Sequence, residues 1–197
     1  MGYLIGFKEY LDECYNLSVF DEAFASQELW EFHIHNHRVV KAEVLENSTY
    51  DIRISSGQNG EILLPKTDVK LLYRETLSES IRPLLKIDKK AEGLSLEPIL
   101  APGKRYHIKN KSLFPLMKER RVVFFTLLEG EIVRGIIAGF SRYEIAVTLK
   151  GGIPVTILRH SIYDLRDKKG RCFLKSFQDK TRDWERDKLY VSFTPES

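Results

Sequence analysis

The chain has 197 residues, 43% of them hydrophobic and 30% charged, which is the composition of a cored protein with room for one large or two small domains and excludes disorder throughout. Its formal net charge of +3 conceals two opposite regions: residues 1–75 hold 7 Lys+Arg against 13 Asp+Glu (net −6), and residues 104–175 hold 16 against 6 (net +10). No apolar run approaches 18 residues, and the opening stretch has no long apolar core behind a basic start, so neither membrane insertion nor secretion is expected.

Cys14 and Cys172 lie far apart and without CxxC spacing, which fits unpaired thiols in a reducing cytoplasm, with a single disulfide as the alternative. The basic region is suited to polyanions through phosphate contacts and counterion release. The other reading of the same charge is two solvated surfaces of opposite sign that dock on each other.

In chain order, Leu4, Ile5, Phe7, Tyr10, Leu11 and Cys14 fall at mixed helical spacing and predict a helix over 7–15. The next stretch is read beside residues 116–165, where five apolar runs of strand length are separated by Glu129-Gly130, Ser141-Arg142, Gly151-Gly152 and His160-Ser161. Strands this short with turns this tight predict a small, strongly bent antiparallel sheet. Gly135 stands inside the second run, where a bending strand must lie close to another backbone.

At a constant offset of 93 residues the two regions align without a gap: Tyr50 with Tyr143, Ser48 with Ser141, Ile52 with Ile145, Leu72 with Leu165, and His37 with Gly130. A period this long is a duplicated domain rather than a solenoid. The first copy is then expected to have a helix over 19–28 and strands over 29–35, 39–46, 50–55, 61–64 and 69–73.

Between the copies, residues 77–90 look helical, and Gly93, Pro98, Pro102 and Gly103 punctuate the residues up to the second copy, so 76–110 reads as a partly structured linker. The basic run KRYHIKNK at 104–111 either tracks a phosphate backbone or is a solvated approach to the second helix. Beyond the second copy, 166–171 reads as a charged turn, 172–177 as an extra strand, and 179–188 as a surface helix or a disordered tail. The fold class is therefore mostly β, two barrels of one helix and five bent strands each, with domains over 1–75 and 111–175 and a charged tail over 176–197.

His33, His35 and His37 alternate along one predicted strand, a spacing that can hold a divalent metal. His37 falls in the turn and no Cys, Asp or fourth His follows at ligand spacing, so the three read as a polar barrel face, and neither metal nor cofactor is expected. No nucleophile with a base, carboxylate pair or phosphate-cradling loop is present, so no enzyme is expected either. Glu144 and Asp164 read as solvated carboxylates at strand ends.

A helix ending in basic residues, the turn at Glu129-Gly130, Gly135 five residues on, an aromatic at Tyr143 and Arg159-His160 before an apolar last strand resemble bacterial Hfq, of the Sm-like RNA-binding family, over about 55 residues. The resemblance implies tandem Sm-like barrels, pairing through edge strands and binding of single-stranded, uridine-rich RNA, as an RNA chaperone or post-transcriptional regulator. Two copies per chain suggest a trimer that imitates a six-barrel ring; a monomer or dimer whose barrels pair only with each other is the rival.

Carried over by position, the pore-side set is Tyr143, Arg159 and His160, with Leu158 where the family has tyrosine. The outer rim is Lys118 and Arg120 beside Arg121, with Met117 replacing an arginine, and Arg142 adjoins Tyr143. On the opposite, adenine-binding face, Thr126 and Ile132 depart from the family. In the first copy only Tyr50 and Lys66 remain as contacts. A scaffold for protein assembly that binds no RNA is the competing reading.

Overall fold

The computed structural model describes residues 4–57 and 60–174. The order of elements is α1 (Phe7–Cys14), α2 (Val19–Ser26), β1 (Trp30–Ile34), β2 (Arg38–Asn47), β3 (Asp51–Ser56), β4 (Gly60–Pro65), β5 (Val69–Arg74), α3 (Ser78–Ile81), β6 (Lys86–Ile87), α4 (Lys89–Glu92), α5 (Asn110–Lys118), β7 (Val122–Leu127), β8 (Glu131–Phe140), β9 (Glu144–Thr148), β10 (Pro154–Leu158) and β11 (Ile162–Asp167). The fold is mostly β, as expected, and all pairings are antiparallel.

The strands form one open sheet in the order β11-β7-β8-β9-β10-β5-β1-β2-β3-β4, with β6 on β8. Each copy thus has its last strand beside its first, and the sheet closes in neither; it runs on from one copy to the other where β10 pairs with β5 through Thr156↔Leu72 and Ile157↔Leu71. In place of two barrels standing apart, the chain carries two copies of one strand order in a single sheet.

The copies agree down to their irregularities. The β2–β3 ladder skips Leu45 and the β8–β9 ladder skips Ala138, 93 residues on. Likewise Lys70 bulges from the β1–β5 ladder and Tyr163 from the β7–β11 ladder. A bulge bends its strand and re-aims one side chain, so shared bulges give both copies the same curvature. Gly135 serves the bend as expected: a Cβ there would stand 2.5 Å from the Thr148 carbonyl oxygen and 2.4 Å from a Val147 methyl.

Each copy has a core under its own helix, with Leu158 joining the first core and Leu71 and Tyr73 joining the second. Val19, Phe20 and Ala23 of α2 cover Trp30, Phe32, Ile34, Val44, Ile52 and Ile54, while Leu113, Phe114 and Leu116 of α5 cover Val123, Phe125, Val133, Ile137 and Val147. Helix α1 instead crosses to the second copy: Phe7 and Tyr10 pack on Phe114, with ring centroids at 5.2 and 5.7 Å. The Tyr10 hydroxyl donates to the Phe140 carbonyl at 2.8 Å and accepts from its amide at 2.6 Å.

Residues 76–110 do not behave as a spacer. Pro83 stops the helix expected over 77–90, because its ring removes an amide donor, and the stretch divides into α3, a 3₁₀ turn, β6 and α4. Ile81 and Ile108 are buried in the second core. The run at 104–111 is tied down in part, by Arg105 bonds to the carbonyls of Ile99 (2.9 Å) and Leu100 (3.1 Å) and by a bridge from Ile108 to Leu174. Residues 171–173 fold back on the outer edge of β11, with the Phe173 amide donating to the Leu165 carbonyl at 3.0 Å, and Leu174 bridges to Ile108; the expected extra strand beyond Leu174 and the tail lie outside the described residues.

Candidate nucleic-acid interface

Tyr143 and Tyr50 occupy equivalent turns. The Ser141 amide donates to the Glu144 carbonyl and the Ser48 amide to the Asp51 carbonyl, both at 3.0 Å, and each tight turn pushes its tyrosine outward, to 58% exposure for Tyr143 and 80% for Tyr50. The carbonyl of each then accepts an amide from the basic residue of the following 3₁₀ turn, Arg159 for Tyr143 and Lys66 for Tyr50, at 2.9 Å in both copies. An exposed tyrosine whose carbonyl holds the backbone amide of a basic residue is therefore built twice. The Arg142 guanidinium lies over the Tyr143 ring at 5.2 Å, and Lys66 lies over Phe20 at 5.1 Å while donating to the Ser48 carbonyl.

The expected contacts do not all face outward. Lys118, Arg120 and Arg142 are exposed, Lys118 standing 5.5 Å from the Phe114 ring. Arg121 is engaged with Asp167 at 3.0 Å. The Arg159 side chain is turned into the fold against Phe140 and donates to Asn110 Oδ1 at 2.8 Å, leaving Nε and Nη2 buried without partners. Burial lowers its pKa to about 10. His160 points between the copies, its Nε2 2.9 Å from the Val69 carbonyl, and burial, with Arg105 nearby, depresses its pKa to about 4, so it is neutral at pH 7. On the other set of positions, Thr126 is half-buried and Ile132 lines a groove of about 580 Å³ with Phe124, Arg134 and Lys86.

Two carboxylates read as solvated are in fact buried. Glu144 is 7% exposed and reaches across to the first copy, accepting from the Val19 amide at 2.7 Å and the Ser18 hydroxyl at 2.8 Å. It thereby caps the N-terminus of α2, where a negative charge is favourable; burial nevertheless raises its pKa. Asp164, 8% exposed, accepts from the Leu165 amide at 2.8 Å and from Arg166.

Of the three histidines, His35 is buried beside Glu129 of the second copy, His37 stays exposed at the turn and His33 is held within its own copy. His33 Nε2 lies 2.8 Å from the Tyr73 hydroxyl, which donates to Glu31 at 2.5 Å. Glu31 is fully buried and also takes Ser78 at 2.5 Å and Arg82 at 2.8 Å. Burial alone would raise its pKa, but the bonds from Arg82, Ser78 and Tyr73 outweigh it and hold the carboxyl at about 2. The bulge at Lys70 turns its ammonium onto Glu129 and Glu131 of the second copy. The acidic copy thus lends a cation and the basic copy two anions, the reverse of their bulk charges.

No known family model matches the chain, and no curated protein matches it. Among the described residues no helix is long and apolar enough to cross a membrane, and both cysteines are free.

Proposed function

We propose that the protein binds single-stranded RNA, uridine-rich by preference, as a tandem Sm-like module in the manner of an RNA chaperone or post-transcriptional regulator, without catalysing a reaction. The observation that carries this reading is the exposed Tyr143 ring with the Arg142 guanidinium 5.2 Å from it, on a tight turn that is built the same way at Tyr50. The Tyr143 ring offers a stacking surface worth about 1–3 kcal/mol per base, and the surrounding net charge of +10 draws phosphates. Lys118, Arg120 and Arg142 are the exposed cations suited to the backbone. Arg159, whose Nε and Nη2 stand unpartnered, supports the floor beside Tyr143, and His160 holds the β10–β11 turn against β5. Tyr50 with Lys66 is a weaker second position on the acidic copy.

For assembly, the ring of three chains requires β4 of one chain to meet β11 of the next, as β10 meets β5 within the chain. The outer edge of β11 carries residues 171–173, which favours a chain whose copies pair with each other alone.

The test is a comparison of oligo-uridine, oligo-adenine and oligo-cytidine by fluorescence anisotropy on nuclease-treated protein. Oligo-uridine should bind tightest, and Tyr143→Ala should weaken it by about 5- to 150-fold, the span of one lost stacking contact. Equal loss from Tyr50→Ala would move the site to the first copy. No binding to any of the three would leave the protein-assembly reading, for which the exposed edge of β4, with Leu63 66% exposed, is the natural surface.

A further inference from the structure

The turn between β1 and β2 meets the turn between β7 and β8, and imidazoles and carboxylates 93 residues apart are brought together there. Glu129 accepts from the Asn36 and His37 amides at 2.6 and 3.2 Å. Its carboxylate oxygens lie 3.7 Å from His35 Nδ1 and 3.9 Å from His37 Nδ1. One ligand atom each from His37, Glu129 and Glu131 lies within 4.8 Å of the other two, a spread that a single ion can draw together.

Two further observations show that this cluster is incomplete as it stands. His35 is only 4% exposed and neither ring nitrogen has a hydrogen-bond partner; Glu131 Oε2 is also buried and unpartnered. Buried polar atoms are rarely left so, because each forfeits its hydration. The charge is unbalanced as well, since two carboxylates share the single ammonium of Lys70.

We propose that this cluster is a divalent transition-metal site of the zinc class, with His37, Glu129 and Glu131 as ligands and the His35 imidazole as the fourth. Two imidazoles with two carboxylates suit zinc or cobalt rather than calcium or magnesium, which take oxygen donors. His37, half exposed, gives the ion its way in from solvent, and Lys70 is the internal cation that the metal displaces. The positions equivalent to His35 and His37 are Leu128 and Gly130, so the site occurs once per chain. It is independent of the RNA-binding reading, since its ligands do not include Tyr143, Arg142 or the basic rim.

The test uses the full chain, stripped with chelator and titrated with zinc by calorimetry and with cobalt by visible absorption. One ion should bind per chain, with a tetrahedral cobalt spectrum lacking thiolate charge transfer. His37→Ala, at an exposed turn where the fold is not at stake, and Glu131→Gln should each weaken binding at least tenfold. Lys70→Met removes the competitor: it should unfold at a lower temperature than wild type without zinc and recover more than wild type when zinc is added. Replacing both cysteines by serine should change nothing. Absence of binding, or binding that survives His37→Ala and Glu131→Gln, or binding lost with the cysteines, would overturn the proposal.

Discussion

At the residue scale, Lys70 with Glu129 and Glu131, and Glu144 with the start of α2, join the two copies through buried polar groups, while the acid dependence of stability follows from Glu31 within the first copy. The folded carboxyl titrates at about 2, below its ordinary value of 4.5, so its contribution is fully present above pH 4.5 and is lost as pH falls toward 2. Glu144, with its pKa raised, acts with the opposite sign, contributing below the ordinary carboxylate range and losing that contribution as pH rises through its folded value. Glu31→Gln should therefore destabilise the protein by about 2 kcal/mol at pH 7, the cost of leaving Tyr73, Ser78 and Arg82 poorly matched, and should flatten the acid limb of the stability curve. Urea unfolding at pH 7 and pH 3 reads both. Gly135→Ala belongs to this scale too, because a methyl group aimed at the Thr148 carbonyl cannot be accommodated by a side-chain rotation. A loss of about 1–3 kcal/mol is expected, seen as a lower urea midpoint with an unchanged slope.

At the element scale, the sequence was legible wherever structure is local. The alternation in residues 38–47 and 131–140 and the turn residues between strands are short-range signals, and the strands of both copies follow them at the 93-residue offset. What escaped the sequence joins elements distant along the chain: Ser18 with Glu144, Tyr10 with Phe140, Lys70 with Glu129. No periodicity marks a partner 59 or 126 residues away. Glu144 looked solvated because a lone carboxylate before a strand has no local feature announcing the helix it caps. His35 and His37 looked like a barrel face because the carboxylate beside them, Glu129, belongs to the other copy. Edge strands yield the prediction at this scale. With β5 paired to β10 and the outer edge of β11 held by residues 171–173, the protein should sediment at its single-chain mass of 22.9 kDa at micromolar concentration. A mass three times that would restore the ring.

At the scale of the whole molecule, the duplicated sheet holds two equivalent tyrosine turns in fixed relation on surfaces of opposite charge. Bulk charge does not explain how the copies meet, since the ion pairs there run against it; Lys118, Arg120 and Arg142 are the cations left exposed to act on a polyanion. Such binding displaces counterions and must weaken as salt rises. The most direct test is therefore the affinity of the nuclease-treated full chain for oligo-uridine, measured from about 50 mM to about 200 mM salt. The account predicts binding that falls steeply and linearly on logarithmic axes, with Tyr143→Ala weakening it at every salt concentration while leaving the slope unchanged. An absence of affinity at the lowest salt, or an affinity indifferent to both salt and Tyr143, would contradict it.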